Sequence, residues 1–446
     1  MPTRRHFLQT ASVSPALAAA AAAQTRPRSP NDKIRFATIG VGIMGSGDTR
    51  TALATGLTEL VAVADIYQGR LTRAQEVWGK QVVTTRDYRE LLERPDIDAV
   101  IIATPDHLHA RLAVDALNKG KDVYVEKPMV QKAADGHAVI EAARKNNRIL
   151  QVGSQRVSSI IYAKAKELLA KGSIGEVNMI EAWYDRNSSM GAWQYTLPTD
   201  ASPETVDWDK FIGSAPKRAF EPVRLFRWRN YQDYGTGVAG DLFVHLFSGI
   251  HFVIGSNGPT RIFGTGGLRF WKDGRDVPDV QVGLYDYPKT AKHGAFNMTL
   301  RTNFVSGGGG GQGFRFIGKE GILTIQGRGV SLSRTPGETE PGYMIETFAK
   351  ATQERYLKDY RAKYPPQRAT TASMPGTDLE TYSAPRGYED SLDHHRNFWE
   401  AVRSRKPVVE DATFGLRAAG PAVATNVSYF ENRVVTWDPE TMKEVS

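Results

Sequence analysis

The chain has 446 residues, 41% of them hydrophobic and 24% charged, and no cysteine. That length exceeds what one hydrophobic core supports and points to about two or three domains, and the absence of thiols excludes disulfides, thiolate zinc sites and cysteine nucleophiles. The formal charge of +8 is mild, and the basic residues are scattered without interleaved aromatics, which argues against a nucleic-acid partner.

The chain opens with Thr3-Arg4-Arg5-His6-Phe7-Leu8, followed by an apolar run over 11–23 that ends in Ala21-Ala22-Ala23. An arginine pair, a short apolar run and a small-residue site, in that order, read as a twin-arginine export signal over 1–23. The run is too short and too alanine-rich to span a membrane. The expectation is an exported, periplasmic protein that uses the twin-arginine machinery, has no stable membrane insertion and carries a cofactor inserted before export. Without Arg4 and Arg5 the chain keeps 55 basic against 49 acidic residues, a charge of about +6. Residues 24–32 are a polar, proline-bearing linker.

A Rossmann-type domain is expected over 33–155. The strand Ile34–Ile39 runs into Gly40-Val41-Gly42-Ile43-Met44-Gly45 and a helix, the context that a G-x-G-x-x-G dinucleotide motif requires. Gly40 permits the turn, Gly42 lets backbone approach a pyrophosphate, and Gly45 permits close helix packing, with Ile43 and Met44 opening the helix on the nucleotide. A second strand over 60–64 ends in Asp65, placed to bind an adenosine ribose and to disfavour a 2′-phosphate, so NAD is expected over NADP. Helices over 71–78 and 88–92 lead to a strand over 99–103, which ends in Thr104-Pro105-Asp106-His107-Leu108-His109 and a further helix stopped by Gly120. Thr104, Pro105, His107 and His109 thus point at the nucleotide edge.

The next strand, Val123-Tyr124-Val125, delivers Glu126-Lys127-Pro128 to the same edge, where ligands of parallel sheets bind. Proline fixes the backbone around Lys127 and allows a cis bond. A surface lysine after an ordinary strand is the plain alternative. A last strand over 149–152 precedes Gly153-Ser154-Gln155-Arg156, and six strands alternating with helices make a doubly wound parallel sheet.

Beyond 156 the pattern changes to an α/β domain over 156–446, with strands over 176–184, 260–264, 280–287, 297–304, 314–317 and 323–326. No crossover helices separate the later ones, so a large, open, mostly antiparallel sheet is expected, with one face exposed or used for self-association into a dimer or tetramer. The glycine run over 307–311 reads as a hairpin tip rather than a phosphate loop. Residues 335–376 read as a surface excursion with a helix over 347–360. A helix over 393–403, another helix and a strand over 434–437 close the chain.

Within this second domain, glycines open an apolar helix bearing Asp241 and His245, four residues apart and on one face. Such a pair suits proton transfer near neutral pH; a satisfied core histidine explains it equally well. Trp183, Trp193, Trp228 and Tyr231, with Arg227 and Arg229, form either a sugar-stacking wall or the core of this domain. His245 with His251, or His394 with His395, gives no set of three ligands, and no metal site is expected.

The ordered set Gly40-x-Gly42-x-x-Gly45, Asp65, Thr104-Pro105-x-His107-x-His109, Glu126-Lys127-Pro128, Gly153-x-Gln155-Arg156 and Asp241-x-x-x-His245 closely resembles the Gfo/Idh/MocA oxidoreductase family. The resemblance runs from about Ile34 to the carboxyl end and is weakest over 335–376. It implies NAD-dependent hydride transfer at a carbinol of a sugar, cyclitol or derivative. It further implies that Lys127 contacts substrate hydroxyl and nicotinamide ribose, that Glu126 and Pro128 shape that corner, and that His245 accepts the proton with Asp241 beside it. Gln155 joins the cofactor set; Arg156, Tyr231, Asp241 and His245 join Lys127 in the substrate set. In one departure, Ser248 stands where many members carry an acid three positions after the histidine, which bears on the orientation or proton path of His245.

Two other readings differ in class. Exported relatives of this kind resemble NAD-dependent glycoside hydrolases that act by transient oxidation and elimination, although that group often lacks the lysine of Glu126-Lys127-Pro128. A nucleotide-dependent binding or scaffold protein could keep the fold without catalysis, against which stands the joint presence of Lys127, Asp241 and His245.

Overall fold

A computed structural model describes residues 32–334, 344–365 and 379–445. The expected export signal, nearly all of the linker and the two ends of the 335–376 excursion lie outside the described residues.

Six strands, β1 (Ile34–Ile39), β2 (Thr58–Ala64), β3 (Val83–Thr85), β4 (Ala99–Ile102), β5 (Asp122–Val125) and β6 (Leu150–Val152), form a sheet in the order β3-β2-β1-β4-β5-β6. All five pairings are parallel. Helices α1 (Ile43–Ala54), α2 (Gln68–Trp78), α3 (Tyr88–Leu92), α4 (Asp106–Asn118) and α5 (Gly136–Lys145) make the crossovers. Every residue of β4 and β5 is buried, as expected where helices cover both faces. Alternate side chains of β1 serve two cores: Phe36 packs with Ile101 and Tyr124, and Ala37 and Ile39 with Val100 and Ile102. The strand order reverses between β1 and β4, and the carboxyl ends of the strands open a crevice there. Edge strand β3 has three residues, none buried, and so lacks the apolar signal that marks the other five.

After α6 (Ile160–Ala170) the second sheet begins with β7 (Val177–Asp185) and continues through β8 (Arg261–Gly267), β9 (Val280–Tyr287), β10 (Phe296–Asn303), β11 (Gly311–Gly318), β12 (Gly321–Gln326), β13 (Gly329–Arg334), β14 (Leu379–Ser383), β15 (Val435–Asp438) and β16 (Lys443–Glu444). Their order is β14-β13-β12-β11-β7-β10-β9-β8-β15-β16. Only the central β7–β10 pair is parallel. Strands β13 and β14 extend the sheet beyond the expected edge. Along β10, Phe296, Met298 and Leu300 point inward, onto α7 (Val244–Ile254) and α10 (Ala412–Glu431), the latter after α9 (Asp390–Ser404) and the exposed α8 (Lys350–Lys363). The other face leaves Phe263 and Leu284 exposed at 37% and 44%. Although late in the chain, α9 packs under the first sheet, with Trp399 5.3 Å from Phe36 between ring centroids. Among the described residues, no helix is long and apolar enough to cross a membrane.

Candidate active site

One cavity of about 980 Å³ runs from the glycine loop, along the carboxyl ends of β1, β4 and β5, to the amino end of α7. At its first end, Gly40 has φ +87°, and a Cβ there would sit 2.7 Å from the carbonyl oxygen of Ala103. A Cβ on Gly45 would fall 1.8 Å from the Gly40 oxygen, so only glycine lets α1 start against the turn. No side chain caps α1, which leaves its first N–H groups for an anionic ligand. Ile43 and Met44 line the cavity while 69% and 38% exposed, an apolar floor left uncovered by protein. The buried Thr104 hydroxyl, also in the lining, has no partner among the described residues. Asp65 follows β2 directly; its carboxylate accepts from the Val41 and Tyr67 N–H groups at 2.9 and 3.0 Å and lies 3.6 Å from Arg70. Backbone cradle, bare apolar floor and rigid carboxylate fit an adenine dinucleotide, with Asp65 toward its ribose.

At the other end stands Lys127, whose bond to Pro128 is cis. The Lys127 Nζ donates to the backbone oxygen and to Oδ1 of Asp241, both at 3.0 Å. Arg229 Nε donates to the same Oδ1 at 3.1 Å and stacks on Trp228 at 4.2 Å. Burial pushes the Asp241 carboxyl up, but Lys127 and Arg229 outweigh it and hold the group well below the usual carboxylate range. The loop between Arg229 and Asp241 is pinned by Asp106, the first residue of α4, which accepts from the Thr236 N–H and hydroxyl at 3.0 and 2.7 Å. Burial, then Asp241, raises Asp106 to about 7.

Behind Lys127, the ring nitrogens of His109 lie 2.8 Å from the carbonyl oxygens of Pro128 and Thr104, tying the lysine turn to the end of β4. Burial lowers His109 to about 4, so the ring is neutral and donates its single N–H to one of these two carbonyls. Glu126 is buried with Oε1 unpartnered, and burial, then Asp48, pushes its carboxyl well up. A Cβ on Gly153 would lie 2.2 Å from that oxygen, which accounts for glycine there.

His245 opens α7 just after the π-helical turn Ala239–Phe243. It lines the cavity beside the Tyr184 ring, with centroids 5.9 Å apart. Burial, then the charges of Lys127 and Arg156, pushes the imidazole well below its ordinary value, so it is neutral at neutral pH. Its Nδ1 is buried without a hydrogen-bond partner among the described residues. Ser248 donates instead to the buried Glu410 at 2.8 Å.

The structure therefore gathers Gly40, Gly42, Ile43, Met44, Asp65, Thr104, Pro105, His109, Glu126, Lys127, Gln155, Arg156, Asp241 and His245 around one cavity; Gly45 lies beneath it. Two expected site residues fall outside. The His107 ring faces the backbone oxygens of Phe211 and Tyr234 at 2.7 and 3.3 Å and packs on both aromatic rings, so it joins the two domains rather than facing a nucleotide. Tyr231 is 5% exposed within an apolar cluster, under the Arg224 guanidinium at 4.4 Å, and it is core rather than substrate wall. Of the proposed aromatic wall, Trp193 and Trp228 line the cavity while Trp183 does not. Asp106 and Arg186 are lining residues that the motifs did not single out; a charged side chain at or just beyond a strand end, as after β4 and β7, was the available signal. Among the described residues, no cluster of three or more metal-ligating side chains occurs.

Residues 34–154 match the family model Gfo/Idh/MocA, described as an oxidoreductase family with an NAD-binding Rossmann fold. Inositol 2-dehydrogenase of Salmonella typhimurium is 33% identical over 200 residues, which is 44% of this chain and 55% of that protein. The chain thus spans about half the length of the curated relatives it matches. Levoglucosan dehydrogenase, solved with NADH and levoglucosan, superposes with a TM-score of 0.64 at 17% identity, over 91% of this chain and 99% of that one. Aldose-aldose oxidoreductase from Caulobacter crescentus, solved with glycerol, superposes with a TM-score of 0.64 at 16% identity, over 91% and 100%. The two-sheet architecture is the one these solved structures share, and residues 34–154 match the model of the NAD-binding Rossmann fold of the Gfo/Idh/MocA oxidoreductase family.

Proposed function

We propose that this protein is an NAD-dependent oxidoreductase that moves a hydride between the nicotinamide and a carbinol of a sugar, cyclitol or derivative. The observation that carries the reading is the single cavity that has the dinucleotide cradle at one end and Lys127, Asp241 and a neutral His245 at the other. Bound NAD supplies the hydride acceptor. His245, neutral and facing the cavity, takes the hydroxyl proton on its ring. The Lys127 ammonium, fixed by Asp241, stabilises the alkoxide character that develops on the same oxygen. Arg229 holds the other side of Asp241, so the carboxylate stays ionised and the lysine stays oriented.

In the same reading, residues 1–23 direct export by the twin-arginine route, and NAD stays bound through the cycle. The support is the order of arginine pair, apolar run and alanines. The open face of the second sheet, with Phe263 and Leu284 exposed, is its surface for a homo-oligomer. Protein from the exported fraction, denatured without added nucleotide, should release NAD or NADH. NAD mixed with a panel of sugars and cyclitols should yield NADH or an oxidised sugar. A protein that neither carries nor binds NAD sinks the reading; glycoside cleavage with no net redox change would turn it into the oxidative-elimination hydrolase.

A further inference from the structure

The charges around the substrate end do not balance. Lys127, Arg156, Arg186 and Arg229 all line it. Asp241 is shared by Lys127 and Arg229, and Arg156 pairs with Asp390 at 2.9 Å. Asp106 and Glu126, the other two acids at this end, are both pushed toward the neutral form by burial. Arg186 has no carboxylate within reach among the described residues, although its charge bears on Asp241 and His245. It follows β7 directly and is held before any ligand arrives. Its Nη1 donates to the Gly191 oxygen at 2.8 Å, and its guanidinium lies over the rings of Tyr184 and Phe304 at 5.3 and 5.6 Å. Among the described residues, its Nε and Nη2 atoms make no hydrogen bond, Nη1 alone doing so. The loop beyond it is anchored by Trp193, 1% exposed and edge-on to Phe304 at 4.8 Å, and by Arg275 on the Ala192 oxygen at 2.7 Å.

A half-buried, preoriented guanidinium with a free edge is a receptor for a planar anion. From this we infer that the substrate is an acidic sugar or cyclitol whose carboxylate or other anionic group pairs with Arg186 while a ring hydroxyl meets Lys127 and His245. The inference rests on the oxidoreductase reading for the hydroxyl and on the charge count alone for the anion. An anion there would also offset the positive field on His245 and so favour proton uptake by its ring.

The test is a binding panel of matched pairs on the full protein with NAD present, read by the fluorescence of Trp193 and Trp228: glucose, glucuronate and glucose 6-phosphate; galactose and galacturonate; inositol and an inositol monophosphate. The tightest ligand should be an acid, bound about tenfold or more tighter than its neutral partner. Arg186→Gln should shrink that ratio about tenfold, and Arg186→Lys should restore part of it. A panel in which no acid is preferred overturns the inference, as does a ratio that Arg186→Gln leaves unmoved. NADH binding and hydride transfer, measured on the same samples, separate the two claims. Oxidation of a neutral sugar with no acid preference sinks the anion alone, whereas acid binding without NAD binding sinks the oxidoreductase reading alone.

Discussion

The two ends of the cavity are built in opposite ways. The nucleotide end comes from one short segment: Gly40, Gly45 and Asp65 lie within 26 residues, and their roles follow from backbone geometry that a tight turn and a parallel strand pair impose. The substrate end is assembled across the fold. Lys127 meets Asp241 over a separation of 114 residues, and Asp106 meets Thr236 over 130. A site of the first kind is fixed by local sterics; the second depends on how two domains dock, and its chemistry resides in charges held out of water.

Replacing Lys127 by alanine should give the largest effect. It removes the ammonium that faces the reacting oxygen and leaves Asp241 with Arg229 alone. Turnover should fall about a thousandfold, while the affinity for NADH, set at the other end, should change little. An equal loss of NADH affinity would show that the two ends are not separable. His245→Asn should cost about a hundredfold in kcat/KM. The sign of its pH dependence follows from the depressed pKa: neutral imidazole is the base, so wild-type activity should be level through neutrality and fall only well below pH 6.5, the group's ordinary value. An acid limb centred above 6.5 would refute the neutral base.

At the nucleotide end, Asp65→Ser should act on cofactor choice rather than on rate. The carboxylate repels a 2′-phosphate, and its removal frees Arg70, now 3.6 Å away, to pair with one. The ratio of NADP to NAD affinity should rise about tenfold or more. NAD binding itself should weaken, because Val41 and Tyr67 lose the acceptor of their N–H groups.

The same contrast explains what was legible. The strand, glycine turn and Asp65 declare themselves because each demand is met within one stretch. Lys127 was readable too, since it follows a wholly buried strand and precedes proline. His107 misled because it shares a helix start with His109; which of the two faces inward is decided by Phe211 and Tyr234, more than a hundred residues away. Tyr231 misled for the same reason, since its polar neighbours in sequence say nothing of the cluster that encloses it. Strands β13 and β14 carry a weak signal because β13 buries only Val330 and Leu332 and the edge strand β14 is wholly exposed, an edge that exists through pairing rather than burial.

The smallest expected effect falls on the seam between the two ends. In the folded protein Asp106 keeps its proton up to about 7, against an ordinary 3.8. As pH rises from 3.8 toward 7, the unfolded chain gives up that proton while the folded one retains it, so ionisation favours unfolding across this window. Above 7 both states are ionised and the cost stays at its full size. Asparagine keeps an oxygen to accept from the Thr236 N–H and hydroxyl and carries no charge to bury. Asp106→Asn should therefore raise Tm by a few degrees at pH 8 and by nearly nothing at pH 4. A gain of equal size at both values would mean that the carboxyl titrates in the fold as it does in the unfolded chain, so that it is ionised at neutral pH and the substrate end carries one more negative charge than the balance around Arg186 assumes.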